Sequence, residues 1–94
     1  MGSQWNEQRF NEFVTLRDGL RAAMKKASYV QAIHLGTQIL ELHETAKYLR
    51  IATHLILRDL GIASAELGDY PSAKKYFLEA QSRLRVSKSR RAAL

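Results

Sequence analysis

The stretch from Leu57 to Ala80, LRDLGIASAELGDYPSAKKYFLEA, constrains this chain more than any other. It reads as two helices joined by a tight turn. Leu57, Leu60 and Ala63 fall at the 3–4 spacing of a helix face, and Ala73, Phe77 and Ala80 repeat that spacing after the turn. Between them, Gly68 supplies a residue free to take positive φ and stop the first helix. Pro71 stands at the start of the second helix, where its missing N–H costs nothing. Gly61 and the alanines leave room for the two helices to approach closely.

The same design is echoed upstream. A shift of 41 residues lays LRDGLRAAMKKASYVQAI over LRDLGIASAELGDYPSAK. Leu16, Arg17, Asp18, Ala22, Tyr29 and Ala32 then align with Leu57, Arg58, Asp59, Ala63, Tyr70 and Ala73. Where the second copy carries its close-packing pair, its turn and its aromatic, the first differs: Gly19-Leu20 stands for Leu60-Gly61, Ala27-Ser28 for Gly68-Asp69, and Gly36 for Phe77.

The Leu60-Gly61 pair, the Gly68-Asp69-Tyr70 turn and the Ala73, Phe77, Ala80 spacing together resemble the tetratricopeptide repeat. Leu57 stands where that family has Trp, Ser64 where it has Tyr, and Arg85 where it closes with Pro. The offset exceeds the family's standard 34-residue period by about two helical turns, so helix faces are kept and the helices lengthen. The resemblance implies an all-α fold: four helices in two antiparallel pairs, stacked as in a tetratricopeptide-like superhelix.

Along the chain, Phe10, Phe13, Leu16, Leu20, Ala23 and Met24 mark a first amphipathic helix from Trp5 to about Lys25-Lys26. Ser28 is the expected N-cap of a second, with Tyr29, Ala32, Ile33, Gly36, Ile39 and Leu40 inward. A third is expected to begin at His43–Thr45 and run to Leu67, burying Leu49, Ala52, Ile56, Leu60 and Ala63. A fourth starts at Pro71 and carries Ala73, Tyr76, Phe77, Ala80 and Leu84. The expected domain covers residues 1–84, with repeat units at about 13–46 and 54–87. Residues 85–94 form a basic, flexible tail.

Charge is concentrated at that end. Arg83, Arg85, Lys88, Arg90 and Arg91, with no acid among them, supply five of the six net positive charges, and the rest of the chain is near neutral. No cysteine is present, which removes disulfides, thiolate metal sites and a thiol nucleophile. No apolar leader and no apolar run of spanning length appears, so a cytoplasmic protein without membrane contact is expected.

Catalytic chemistry finds little footing. His43-Glu44 opens like the H-E-x-x-H zinc motif, but Lys47 occupies the second ligand position. The histidines His34, His43 and His54 show no i, i+4 pairing, and the glycines form no phosphate-cradling string. Asp18 and Asp59 each follow an arginine and are expected to serve in ion pairs across helices. No catalytic residue, metal or cofactor is assigned, and the chain is expected not to be an enzyme.

The expectation is binding. In the resembled family the first helix of each unit lines a concave groove. Carried over from the Leu-Gly frame, those positions are Val14, Arg17, Arg21 and Met24 in the first copy, and Leu55, Arg58, Ile62 and Ala65 in the second. Arg17, Arg21 and Arg58 among apolar walls suit a protein or acidic peptide, since guanidinium binds carboxylate through a planar fork. Arg21 and Ile62 stand where that family's carboxylate clamp has Asn. Trp5, Phe10 and Phe13 on the first helix offer a surface for self-association, most simply a two-fold dimer. The second functional reading is a nucleic-acid-associated regulator whose basic tail contacts phosphates.

Overall fold

In a computed structural model, which describes residues 6–93 and the side-chain surroundings through Arg85, the chain folds into four α-helices. They are α1 (Glu7–Lys25), α2 (Tyr29–Thr45), α3 (Thr53–Glu66) and α4 (Tyr70–Ala93), with a 3-10 turn at Lys47–Leu49 and no strand among the described residues. Trp5 lies outside them. Each helix packs chiefly on its neighbours in sequence: α1 on α2, α2 on α3, and α3 on α4. The Cα trace measures 48 × 32 × 18 Å, and its least dimension is two helix layers.

The two helix-to-helix turns are one turn used twice. After α1, Ser28 N–H donates to Ala23 O at 2.8 Å and Ala27 N–H to Met24 O at 3.2 Å. After α3, Asp69 N–H donates to Ser64 O at 2.9 Å and Gly68 N–H to Ala65 O at 3.0 Å. Donors and acceptors correspond residue for residue at the 41-residue offset. Both are Schellman closures, which satisfy the last carbonyls of a helix and require a left-handed residue. Gly68 supplies it at φ 83° and Ala27 at φ 60°. Each turn also starts the next helix, through Ala32 N–H to Ser28 O and Ala73 N–H to Asp69 O. Asp69 Oδ1 caps α4 by accepting from Ser72 N–H at 3.3 Å, and Asn6 Oδ1 caps α1 by accepting from Arg9 N–H at 3.2 Å.

Every seam between neighbouring helices sets a glycine under a large apolar side chain. A Cβ on Gly19 would lie 3.2 Å from Leu35 Cδ1, joining α1 to α2. One on Gly36 would lie 2.8 Å from Leu60 Cδ2, joining α2 to α3, and one on Gly61 would lie 2.6 Å from Phe77 Cε1, joining α3 to α4. Around these seams the core gathers Leu20, Ala32, Ile39, Leu42, Leu57, Leu60 and Ala63, each under 4% exposed. Tyr29, Ile33, Leu40, Tyr76 and Ala80 pack against it.

The third helix departs from expectation. It begins at Thr53 rather than at 43–45. Ala46 N–H closes α2 on Leu42 O, the 3-10 turn follows, and Arg50 takes the left-handed conformation at φ 52°. The segment keeps the apolar period because its side chains stay inside. Ala46 and Ile51 are buried, and Tyr48 and Leu49 pack on the core, but from a reversing loop. Ala52, expected inward, is exposed. At the other end, α4 runs past the expected domain limit and is helical to Ala93.

Two tests follow from the turns and seams. Ala27→Gly should stabilise the fold by about 1 kcal/mol by relieving a left-handed alanine, and Gly68→Ala should destabilise it by a similar amount. Urea midpoints read both, with unchanged slopes. Among the seam glycines, Gly36→Ala should cost most, about 2 kcal/mol, because Leu60 is 1% exposed and has nowhere to move. Gly19→Ala should be near neutral, since Leu35 needs to yield only slightly and alanine returns about 1 kcal/mol of helix propensity. Equal losses at Gly19 and Gly36 would refute the seam assignment.

Candidate partner-binding surface

The eight groove positions lie in two rows, Val14, Arg17, Arg21 and Met24 on α1 and Leu55, Arg58, Ile62 and half-buried Ala65 on α3, two helices that both pack on α2. The α1 row is largely spent on the fold. Met24 is half-buried against the core and Val14 is half-buried. Arg17 spreads its guanidinium over the Phe13 ring, 5.5 Å from the centroid, a cation–π contact. Its Nη2 lies 3.6 Å from Asp18 Oδ1, and its Nε is enclosed without a hydrogen-bond partner. Arg21 alone in this row is exposed.

The α3 row is open. Its inner face buries Ile56, Leu57, Leu60, Ala63 and Ser64, while Leu55 and Ile62 on the outer face are 42% and 37% exposed. Arg58 stands between them, exposed, with its Nη2 3.4 Å from Asp59 Oδ1. The expectation that Asp18 and Asp59 bridge helices is corrected here. Each pairs with the arginine directly before it on the same helix, so both copies keep their guanidinium at home. Exposed pairs of this kind are worth little in stability, but they hold the arginine head in place.

Of the self-association candidates, Phe10 is 39% exposed, whereas Phe13 is half-buried against the core and under Arg17. Other large apolar side chains at the surface are Val30, Leu67, Tyr70, Phe77 and Leu78.

Arg83 leaves the basic tail. It is half-buried on α4, where Nη1 donates to Thr53 Oγ1 at 3.1 Å and Nη2 to Glu79 Oε2 at 2.9 Å. Thr53, 7% exposed, is the first residue of α3, so this arginine ties α4 to the start of its partner helix. The Glu79–Arg83 spacing of four was legible in the sequence; the hydroxyl thirty positions away was not. Arg85 is exposed, and the side chains of Lys88, Arg90 and Arg91 lie outside the described residues.

A separate cleft of about 240 Å³ opens between the first half of α1 and the end of α2, with Arg9, Glu12, Gln38, Glu41 and Thr45 on its walls. Three of these groups are engaged locally: Arg9 Nη1 lies 3.5 Å from Glu12 Oε1, and Thr45 Oγ1 donates to Leu42 O at 3.2 Å. His43 and Glu44, the start of the zinc-like string, end α2 beside Lys47, whose Nζ lies 3.8 Å from Glu44 Oε2. His43 is half-buried, with Nδ1 enclosed and unpartnered. Among the described residues no three His, Cys, Asp or Glu side chains gather as metal ligands, and no helix is long and apolar enough to cross a membrane.

No family model, curated protein or solved structure matches this chain.

The Arg83 tie is testable. Arg83→Ala should destabilise by about 1–2 kcal/mol, because it leaves a buried threonine hydroxyl without its partner. Arg85→Ala should change the urea midpoint little. Matching losses for the two would show that the tie adds nothing.

Proposed function

We propose that this chain is a non-catalytic protein–protein interaction module of tetratricopeptide-like design, docking its partner along the outer row of α3. The observation that carries the proposal is the Leu55-Arg58-Ile62 row. Two branched apolar side chains stay well exposed on a helix that has already buried its other face. Covering a side chain of this kind fully is worth roughly 1.5–3 kcal/mol, and with Leu55 42% and Ile62 37% exposed a substantial minority of that gain remains open at each. Arg58 between them, and Arg21 on α1, offer a guanidinium fork to a carboxylate. The repeat-like design is supported by the duplicated turn and by the Gly61–Phe77 seam.

A second copy of the chain is the first partner to test, and an acidic amphipathic peptide the next. Leu55→Glu/Ile62→Glu should leave the melting temperature within a few degrees, since neither side chain is in the core. Sedimentation equilibrium should show wild type rising above 10.7 kDa with concentration and the double variant holding at that mass. A monomeric wild type would move the test to titration with a labelled acidic helical peptide. Failure to bind that peptide as well would overturn the reading.

A further inference from the structure

Helix α4 is longer than the helix it packs on. It has 24 residues against 14 for α3, and the two run antiparallel. The Arg83–Thr53 hydrogen bond sets residue 83 level with the first residue of α3. Residues 84–93 therefore carry helical backbone about 15 Å past that level.

This extension is uniformly basic. It holds Arg85, Lys88, Arg90 and Arg91, four of the six net charges of the chain. The last carboxylate before it, Glu79, is already held by Arg83 at 2.9 Å. No Asp or Glu stands three or four residues from any of the four cations, so the sequence of α4 provides them no helix-spaced acidic partner. Arg85, Lys88 and Arg91 recur at every third position of this helical backbone, spanning about 9 Å along its axis. Like charges at this spacing repel one another, and a row of external anions relieves that repulsion.

We infer that the 84–93 extension of α4 docks on the phosphate backbone of duplex nucleic acid, independently of base sequence. This goes beyond the α3 reading and uses none of its residues. Regular phosphates match a short row of cations without needing apolar anchors. The extension offers none of size: its apolar residues are Leu84, Val86 and two alanines, with no aromatic side chain. Membrane-surface helices need a broad apolar face, and protein hot spots need a large anchor. The missing aromatics also leave nothing to stack on bases.

The test is fluorescence anisotropy of a labelled 20-base-pair duplex titrated with the full chain at several salt concentrations. Binding should be measurable at low salt, with log K falling against log[salt] at a slope of about −3. Arg85→Gln/Lys88→Gln/Arg91→Gln should weaken binding at least tenfold and flatten the slope to about −1 or less, with helicity and Tm retained. Lys25→Gln/Lys26→Gln/Lys74→Gln removes the same charge elsewhere on the surface and should change affinity less than threefold. Equal effects of the two triple variants would reduce the finding to net charge and overturn the proposal. Absence of duplex binding at low salt, or tighter binding to phosphatidylserine vesicles under the same conditions, would overturn it too.

Discussion

Close approach at three glycines is the constraint on which the rest of this fold depends. Gly19 lies under Leu35, Gly36 under Leu60 and Gly61 under Phe77, one contact for each pair of neighbouring helices. A helix pays for glycine in backbone entropy, about 1 kcal/mol relative to alanine. Three of them persist inside helices here because each lets a large side chain lie on bare backbone. Leu60 and Gly61, adjacent on α3, serve one seam each. Leu60 fills the space over Gly36 on α2, while Gly61 receives Phe77 from α4. The adjacent Leu-Gly pair thus faces its two residues to two different partners, and α3 becomes the helix that both sides need.

Seen this way, the departures of the first repeat copy have a physical reason. Gly36 occupies the position that Phe77 holds in the second copy. An aromatic ring at 36 would fill the space that Leu60 enters, and the second helix pair could not dock there. Likewise Gly19 stands at the position of Leu60, and receives Leu35 where its counterpart projects into a neighbour. The two copies share their turn hydrogen bonds and differ at the residues that decide which surface is socket and which is knob.

The sequence disclosed what local spacing encodes. The four helices, the Gly68 stop and the inward positions of α2 follow from apolar period and turn chemistry. The end of α2 near Thr45 was legible as well, but the loop that follows it was not, because residues 46–52 contain neither glycine nor proline and keep burying apolar side chains. Periodicity records that a residue is inside, and cannot distinguish a helix from a loop folded back on the same core. Ala27 in the left-handed region escaped for a related reason: the closure around it is set by Ser28 and Ala23, which carry no unusual residue type. On the proposed docking row, register was enough to place Leu55 and Ile62 together, while the packing of Arg17 on Phe13 and the tie from Arg83 to Thr53 depend on side-chain reach.

The knob-and-socket asymmetry also limits how far the stack extends. A further helix pair docking on α4 as α3 docks on α2 would need a socket at residue 77, and Phe77 is turned onto Gly61 instead. A pair docking on α1 would meet Gly19 where a knob like Leu60 is required. Neither outer helix repeats the interface that joins the two pairs. The outer row of α3 keeps exposed branched side chains around an arginine, away from both of these ends. Within the described residues, the loop residues Ala46 and Ile51 enter the core and Arg83 ties α4 back to α3. Those contacts lie between the pairs or along α3, and they leave the α3 row outside the core.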